Sequence, residues 1–176
     1  MSDLYDQIVG QRGSVERLVA RLPGFGGYSD RASRRTADRM LRDFIAGEIA
    51  ARIARFAQIE KSLVDNGGLM YMSKTRSAKT KLQTYHDRVK AAPPGYSGFF
   101  AAIKIDSEAL ERLYSFDEAQ IRYVDKLDDV LNQLEEAVNT EGDIEAAIAA
   151  VDALAIEANS AFMLRDDVLT NLDKSL

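Results

Sequence analysis

Five arginines crowd one short stretch of the chain: Arg31, Arg34, Arg35, Arg39 and Arg42. On a helix, Arg31, Arg35, Arg39 and Arg42 step by four, four and three and fall within an arc of about 80°, with Arg34 beside them and Asp38 inside the arc. Guanidiniums at this density bind carboxylates, phosphates or phospholipid headgroups through their forked donors. The second half of the chain is rich in carboxylates, so the favoured partner is a carboxylate, of the chain itself, of a second copy or of another protein. An anionic membrane surface met by residues 1–42 ranks second. Nucleic acid ranks third, because the isoelectric point is near 5.0 and no basic motif is interleaved with aromatics.

Two hexapeptides carry a second pattern. Pro23-Gly24-Phe25-Gly26-Gly27-Tyr28 and Pro94-Gly95-Tyr96-Ser97-Gly98-Phe99 both read Pro-Gly-aromatic-small-Gly-aromatic, and they start 71 residues apart. Proline ends the preceding helix, glycine supplies backbone angles that other residues resist, and Phe25, Tyr28, Tyr96 and Phe99 are expected to anchor the ends of a helix bundle. Either a loop-plus-hairpin unit is duplicated, or two glycine-rich linkers coincide; the helices that follow share no obvious sequence. The first loop, with Arg31, Arg34 and Arg35 close behind, could hold an anion at a helix N-terminus. It lacks the Gly-Lys-Ser/Thr ending of a phosphate loop and no strand precedes it, so a plain turn is the simpler reading.

Other chemistry is thin. The single histidine, His86, sits beside Asp87 among charged residues and reads as a surface pair. No Glu-x-x-His pair exists for a di-iron bundle, no Gly-x-Ser-x-Gly elbow for a serine nucleophile, and no D-x-D-x-D-G spacing for a calcium loop. The absence of cysteine removes disulfides and thiolate chemistry. The sequence therefore assigns no catalytic residue, no metal and no cofactor, and a non-enzymatic protein is expected.

These residues must be held by helices. The apolar positions of residues 2–22 form a stripe weakened by Gly10 and Gly13, and Pro23-Gly24 stops it. Residues 29–65 read as one long helix and 70–91 as a second, separated by Asn66-Gly67-Gly68. Residues 107–139 carry Leu110, Leu113, Ile121, Val124, Leu127, Leu131, Leu134 and Val138, nearly a coiled-coil seam, although packing within a bundle produces the same spacing. Glu141-Gly142 makes a turn, with Thr140 or Asp143 to cap a last helix over 143–172.

The 29–65 helix is odd. Its early apolar residues (Ala37, Met40, Leu41, Phe44) point roughly 100° away from the later ones (Ile45, Ile49, Ile53, Phe56, Ile59). Either the helix kinks near Gly47, or its two ends meet different partners.

The 176 residues suit one domain. Residues 1–92 hold 17 basic and 10 acidic side chains, a net of +7; residues 93–176 hold 6 and 18, a net of −12. The favoured explanation is that the halves pack together and their charges meet. No apolar run approaches the roughly 18 residues of a membrane span, and no leader is expected after Met1-Ser2-Asp3, which points to a cytoplasmic protein. The expected fold is all-α: an antiparallel four-helix bundle of two long hairpins, 29–91 and 107–172, with an N-terminal amphipathic helix over 1–22, in one domain spanning 1–176. The expected role is a helical scaffold or assembly protein, homo-oligomeric, binding protein through helix surfaces.

Overall fold

The computed structural model describes residues 14–27, 34–92, 107–165 and 167–168. Among the described residues there is no strand. The helices are α1 (Ser14–Arg21), α2 (Arg34–Asp65), α3 (Met72–Ala91), α4 (Ser107–Thr140) and α5 (Ile144–Met163), with a one-turn 3-10 helix over Leu69–Tyr71. The all-α expectation holds. The helix expected over 143–172 is broken at Leu164, whose N–H turns back to the carbonyls of Ala161 and Phe162, and residues 165, 167 and 168 beyond it are helical again, the Val168 N–H bonding to Leu164 O at 2.9 Å.

Both hairpin turns close in the same way. Gly67 sits at φ +84°, the Gly67 N–H bonds to Val64 O at 3.0 Å and the Gly68 N–H to Leu63 O at 2.8 Å, a Schellman cap on α2. At the second turn Glu141 occupies the left-handed position at φ 53° and the Gly142 N–H bonds to Ala137 O at 2.9 Å. Asp143, not Thr140, then caps α5, its carboxylate accepting from the Ala146 N–H at 2.9 Å.

α2 packs against α3 and α4, α5 packs against α3 and α4, and α1 lies on α4. Side-chain pairs give the directions. Glu60 meets Lys79, and Arg42 meets Ala92, so α2 and α3 are antiparallel. Lys74–Glu145, Lys81–Asp152 and Arg88–Asn159 each join positions 71 apart in steps of seven, so α3 and α5 run in the same direction. Arg52–Asp128 and Arg55–Glu135 set α2 parallel to α4. The spacing that separates the two Pro-Gly-aromatic loops is thus also the register of the α3–α5 ladder.

The core is one cluster. Leu113, Ile121, Val124, Leu127, Leu131, Leu134 and Val138 of the expected seam are all buried within the chain, so its own helices use that seam. α2 is uninterrupted through Gly47. Its buried residues include Arg34, Asp38, Leu41, Arg42, Ile45, Ile49, Phe56, Ile59, Glu60 and Leu63, a single straight stripe at helical spacing. Charged residues occupy the first third of that stripe. The apparent rotation of the apolar face comes from this substitution, and neither a kink nor a change of partner is required.

α5 is the exception to the usual division into a wet and a dry face. Among the described helices it alone is long and apolar enough, by length and composition, to cross a membrane, yet only half of that stretch is buried.

Candidate functional site: a charged core at one end, an apolar tip at the other

The arginine stripe divides when the chain folds. Arg34 and Arg42 turn into the protein with Asp38, whereas Arg35 and Arg39 remain exposed. Arg31 lies outside the described residues. Asp38 is the hub. Its Oδ2 accepts from Arg42 Nε at 3.0 Å, its Oδ1 from Arg165 Nη2 at 2.9 Å, and Arg42 Nη1 donates to the carbonyl of Ala92 at 2.6 Å. Arg42 therefore satisfies a carbonyl at the C-terminus of α3, where the backbone has no helical partner of its own. Through one carboxylate the start of α2, the end of α3 and the segment after α5 are tied together. Arg39 reaches only Asp43 on its own helix, at 3.7 Å. The fold thus divides the stripe: i,i+4 spacing places Asp38 with Arg34 and Arg42, burial draws that row inward, and Arg42 meets a carboxylate of the chain itself.

Beside this hub, α4 is buried on all sides from Leu113 to Ile121. Four polar residues lie in that stretch: Ser115, Asp117, Glu118 and Gln120. α1 covers one side, where Ser14 Oγ lies 3.2 Å from Ser115 Oγ and Arg17 Nε donates to Glu118 Oε1 at 3.2 Å. Arg122 Nε approaches the other Glu118 oxygen at 3.2 Å. On the opposite side the Tyr85 hydroxyl donates to Gln120 Oε1 at 3.0 Å, and the Tyr85 ring stands edge-on to Phe162 at 6.3 Å. Burial pushes the Tyr85 phenol well above its ordinary range, which keeps it neutral. Burial, then the bond to Glu157, does the same to Tyr123.

Of the loop aromatics, Phe25 is buried and packs edge-on against Tyr114 with centroids 6.4 Å apart. Gly27 is required next to it: φ is +72°, and a Cβ there would lie 2.6 Å from the Tyr114 hydroxyl oxygen. Tyr28, Tyr96 and Phe99 lie outside the described residues. His86 Nδ1 sits 2.8 Å from Asp87 Oδ1, and Gln83 Nε2 donates to the same oxygen at 3.0 Å. These bonds, His86 first, hold the Asp87 carboxyl below its ordinary range.

The other end of the molecule is the part that sequence reasoning missed. Leu69 and Met70, in the 3-10 turn between α2 and α3, are 67% and 77% exposed. They stand beside an open cleft of 490 Å³ between the two hairpin turns, with Leu63, Tyr71, Val138 and Ile144 on its floor and Glu141 on its rim. Adjacent apolar residues after Asn66-Gly67-Gly68 were the available signal; in sequence they look like the start of the next helix's buried face. They stay in solvent because the 3-10 turn precedes the first residues of α3 that reach the core, Thr75 and Ala78.

No protein-family model, no curated protein and no solved structure matches the chain. Its function has to be read from its own surfaces.

Proposed function

We propose that this protein is a non-enzymatic scaffold or assembly protein that works through contacts of its helix surfaces, as a homo-oligomer or with a protein partner, in the cytoplasm. Its framework is a four-helix bundle in which two antiparallel hairpins lie side by side. The observation that carries this reading is the exposed Leu69–Met70 tip beside its open cleft. Two large adjacent apolar side chains at a turn lose favourable burial of roughly 1.5–3 kcal/mol each if nothing covers them. Glu141 on the rim of the cleft and Asp65 at the end of α2, next to Asn66 of the same rim, are both exposed. They suit a protein segment with an apolar side chain next to lysine or arginine. The arginine stripe contributes less than its sequence promises, because Arg34 and Arg42 are buried and Arg42 is bound inside the fold. That also weakens the stripe as a contact for anionic membranes or nucleic acid.

The test is native-complex isolation with a tagged full-length chain co-expressed with an untagged copy, comparing wild type with Leu69→Ser/Met70→Ser. The wild type should retain a defined protein, its own untagged copy included, and the variant should lose most of it. Wild type and variant purifying alike as solitary chains would refute the reading.

A further inference from the structure

α4 carries an acidic stripe, and α1 covers only part of it. Glu118, Asp125, Asp129 and Glu136 follow one another at steps of seven, four and seven, within an arc of about 40° and over about 27 Å of helix. α1 is about 12 Å long and reaches the first two. Arg17 Nε donates to Glu118 Oε1 at 3.2 Å, and Arg21 Nη1 donates to Asp125 Oδ2 at 3.0 Å. Beyond α1, Asp129 and Glu136 are exposed and meet no cation among the described residues, whereas their neighbours Asp128 and Glu135 are taken by Arg52 and Arg55. Under α1, Glu118 is buried, and its Oε2 accepts no hydrogen bond although Arg122 Nε stands 3.2 Å away. α1 therefore leaves two acids and one buried carboxylate oxygen of the stripe unused.

α1 is also loosely held. Eight residues do not keep a helix on their own, and this one packs on α4. Its buried apolar anchors are Leu18 and, just after it, Leu22. The other ties are the Ser14–Ser115 hydroxyl contact and two ion pairs whose arginines are half-exposed, and exposed pairs hold weakly. Release orphans no charge: Glu118 keeps Arg122, and Ser115 and the two arginines gain water. A hinge follows directly. Gly24 has φ +83°, and the atom nearest an added Cβ is the flexible end of Met40 at 3.5 Å, so glycine serves the backbone angle there and not a tight fit. Phe25, the next residue, is buried against Tyr114 and pins the loop on the far side of that hinge from α1.

We infer that α1 is a releasable strap, and that the acidic stripe of α4 takes in its place a longer basic helix of a protein partner. α1 displays the chemistry that the stripe reads. Arg17-Leu18 and Arg21-Leu22 are arginine–leucine pairs four residues apart, with the leucines buried and the arginines on acids. A partner helix that continues this pattern for two more turns reaches Asp129 and Glu136 as well, which gives it the advantage over the strap. The stripe shares no residue with the lining of the cleft at the Leu69–Met70 tip, so it serves as a docking surface whether or not the tip binds anything.

The probe is a labelled peptide that joins Ser14–Leu22 through one alanine to a second copy of Arg17–Leu22, about 24 Å long as a helix. Fluorescence anisotropy with the full chain should show saturable binding. Binding should weaken at least tenfold in Asp129→Lys/Glu136→Lys, whose changes lie on the surface and should keep the wild-type circular dichroism. Arg17→Glu/Leu18→Ser loosens the strap, so this variant should bind the peptide at least tenfold more tightly than wild type, again with unchanged circular dichroism. Hydrogen exchange should find the Leu22 amide, bonded to Leu18 O, opening well before the amides of Leu127 and Leu134 in the α4 core. No binding to the strap variant, equal affinity of strap variant and wild type, indifference to the Asp129/Glu136 reversal, or exchange of α1 in step with the α4 core overturns the inference. A strap variant that fails to fold overturns it too, because α1 is then an integral part of the core.

Discussion

At the scale of single residues, Asp38 is the position on which most depends. It is one carboxylate between two guanidiniums, all three side chains no more than 10% exposed. Buried ion groups gain little over a well-packed apolar core, but removing one partner leaves the others without compensation. Asp38→Ala should therefore cost about 3–5 kcal/mol in urea unfolding. Arg39→Ala, which breaks an exposed i,i+4 pair, should cost under about 0.5 kcal/mol. Equal effects from the two would show that the hub does not hold the ends of α2 and α3 together. The hub also explains why the arginines mislead when read as a stripe. Angular position on an ideal helix groups Arg42 with Arg35 and Arg39, but Arg42 finds Asp38 one turn back and the Ala92 carbonyl on another helix. Only the first of those partners is local in sequence.

Among the elements, the turns were the most legible. Asn66-Gly67-Gly68 and Glu141-Gly142 end helices because each supplies a left-handed residue and a following N–H for the carbonyl three positions before the cap. The second turn does so with a glutamate, which pays about 1 kcal/mol or more for the left-handed conformation. Glu141→Gly should raise stability by up to about 1 kcal/mol in the same denaturation assay, and an unchanged or lowered midpoint would argue against that turn geometry. The 107–139 seam was equally legible, since leucines at three-four spacing are buried whichever helix they meet. The polar stretch of the same helix was not. Ser115, Asp117, Glu118 and Gln120 look like a solvated face, and they are buried because α1 and the end of α3 close over it.

For the molecule as a whole, the division of charge along the chain becomes an attraction between its parts. Basic residues of the first half meet acidic residues of the second at Arg17–Glu118, Arg21–Asp125, Arg52–Asp128, Lys74–Glu145 and Lys81–Asp152. Each exposed pair is weak, with typical values of about 0–1 kcal/mol, but the repeated pairs select one register of hairpin against hairpin. Lys81→Asp should lower stability by about 1 kcal/mol, and adding Asp152→Lys in the same chain should restore most of that loss. Failure of the double variant to recover would mean that these charges do not set the register.

By itself the sequence determined the all-helical class, the positions of the two turns at 66–68 and 141–142, the buried seam of α4 and the mutual attraction of the two halves. Those features depend on periodicity, capping and net charge, which act over a few residues or over the whole chain and so survive in a linear reading. Tertiary structure alone decided that α3 and α5 run in parallel, that Arg34 and Arg42 go inward while Arg35 and Arg39 stay out, and that Leu69, Met70 and the outer face of α5 remain in solvent. A side chain's fate at those places is set by what another helix brings next to it from 50 to 127 positions away, and no local pattern carries that information.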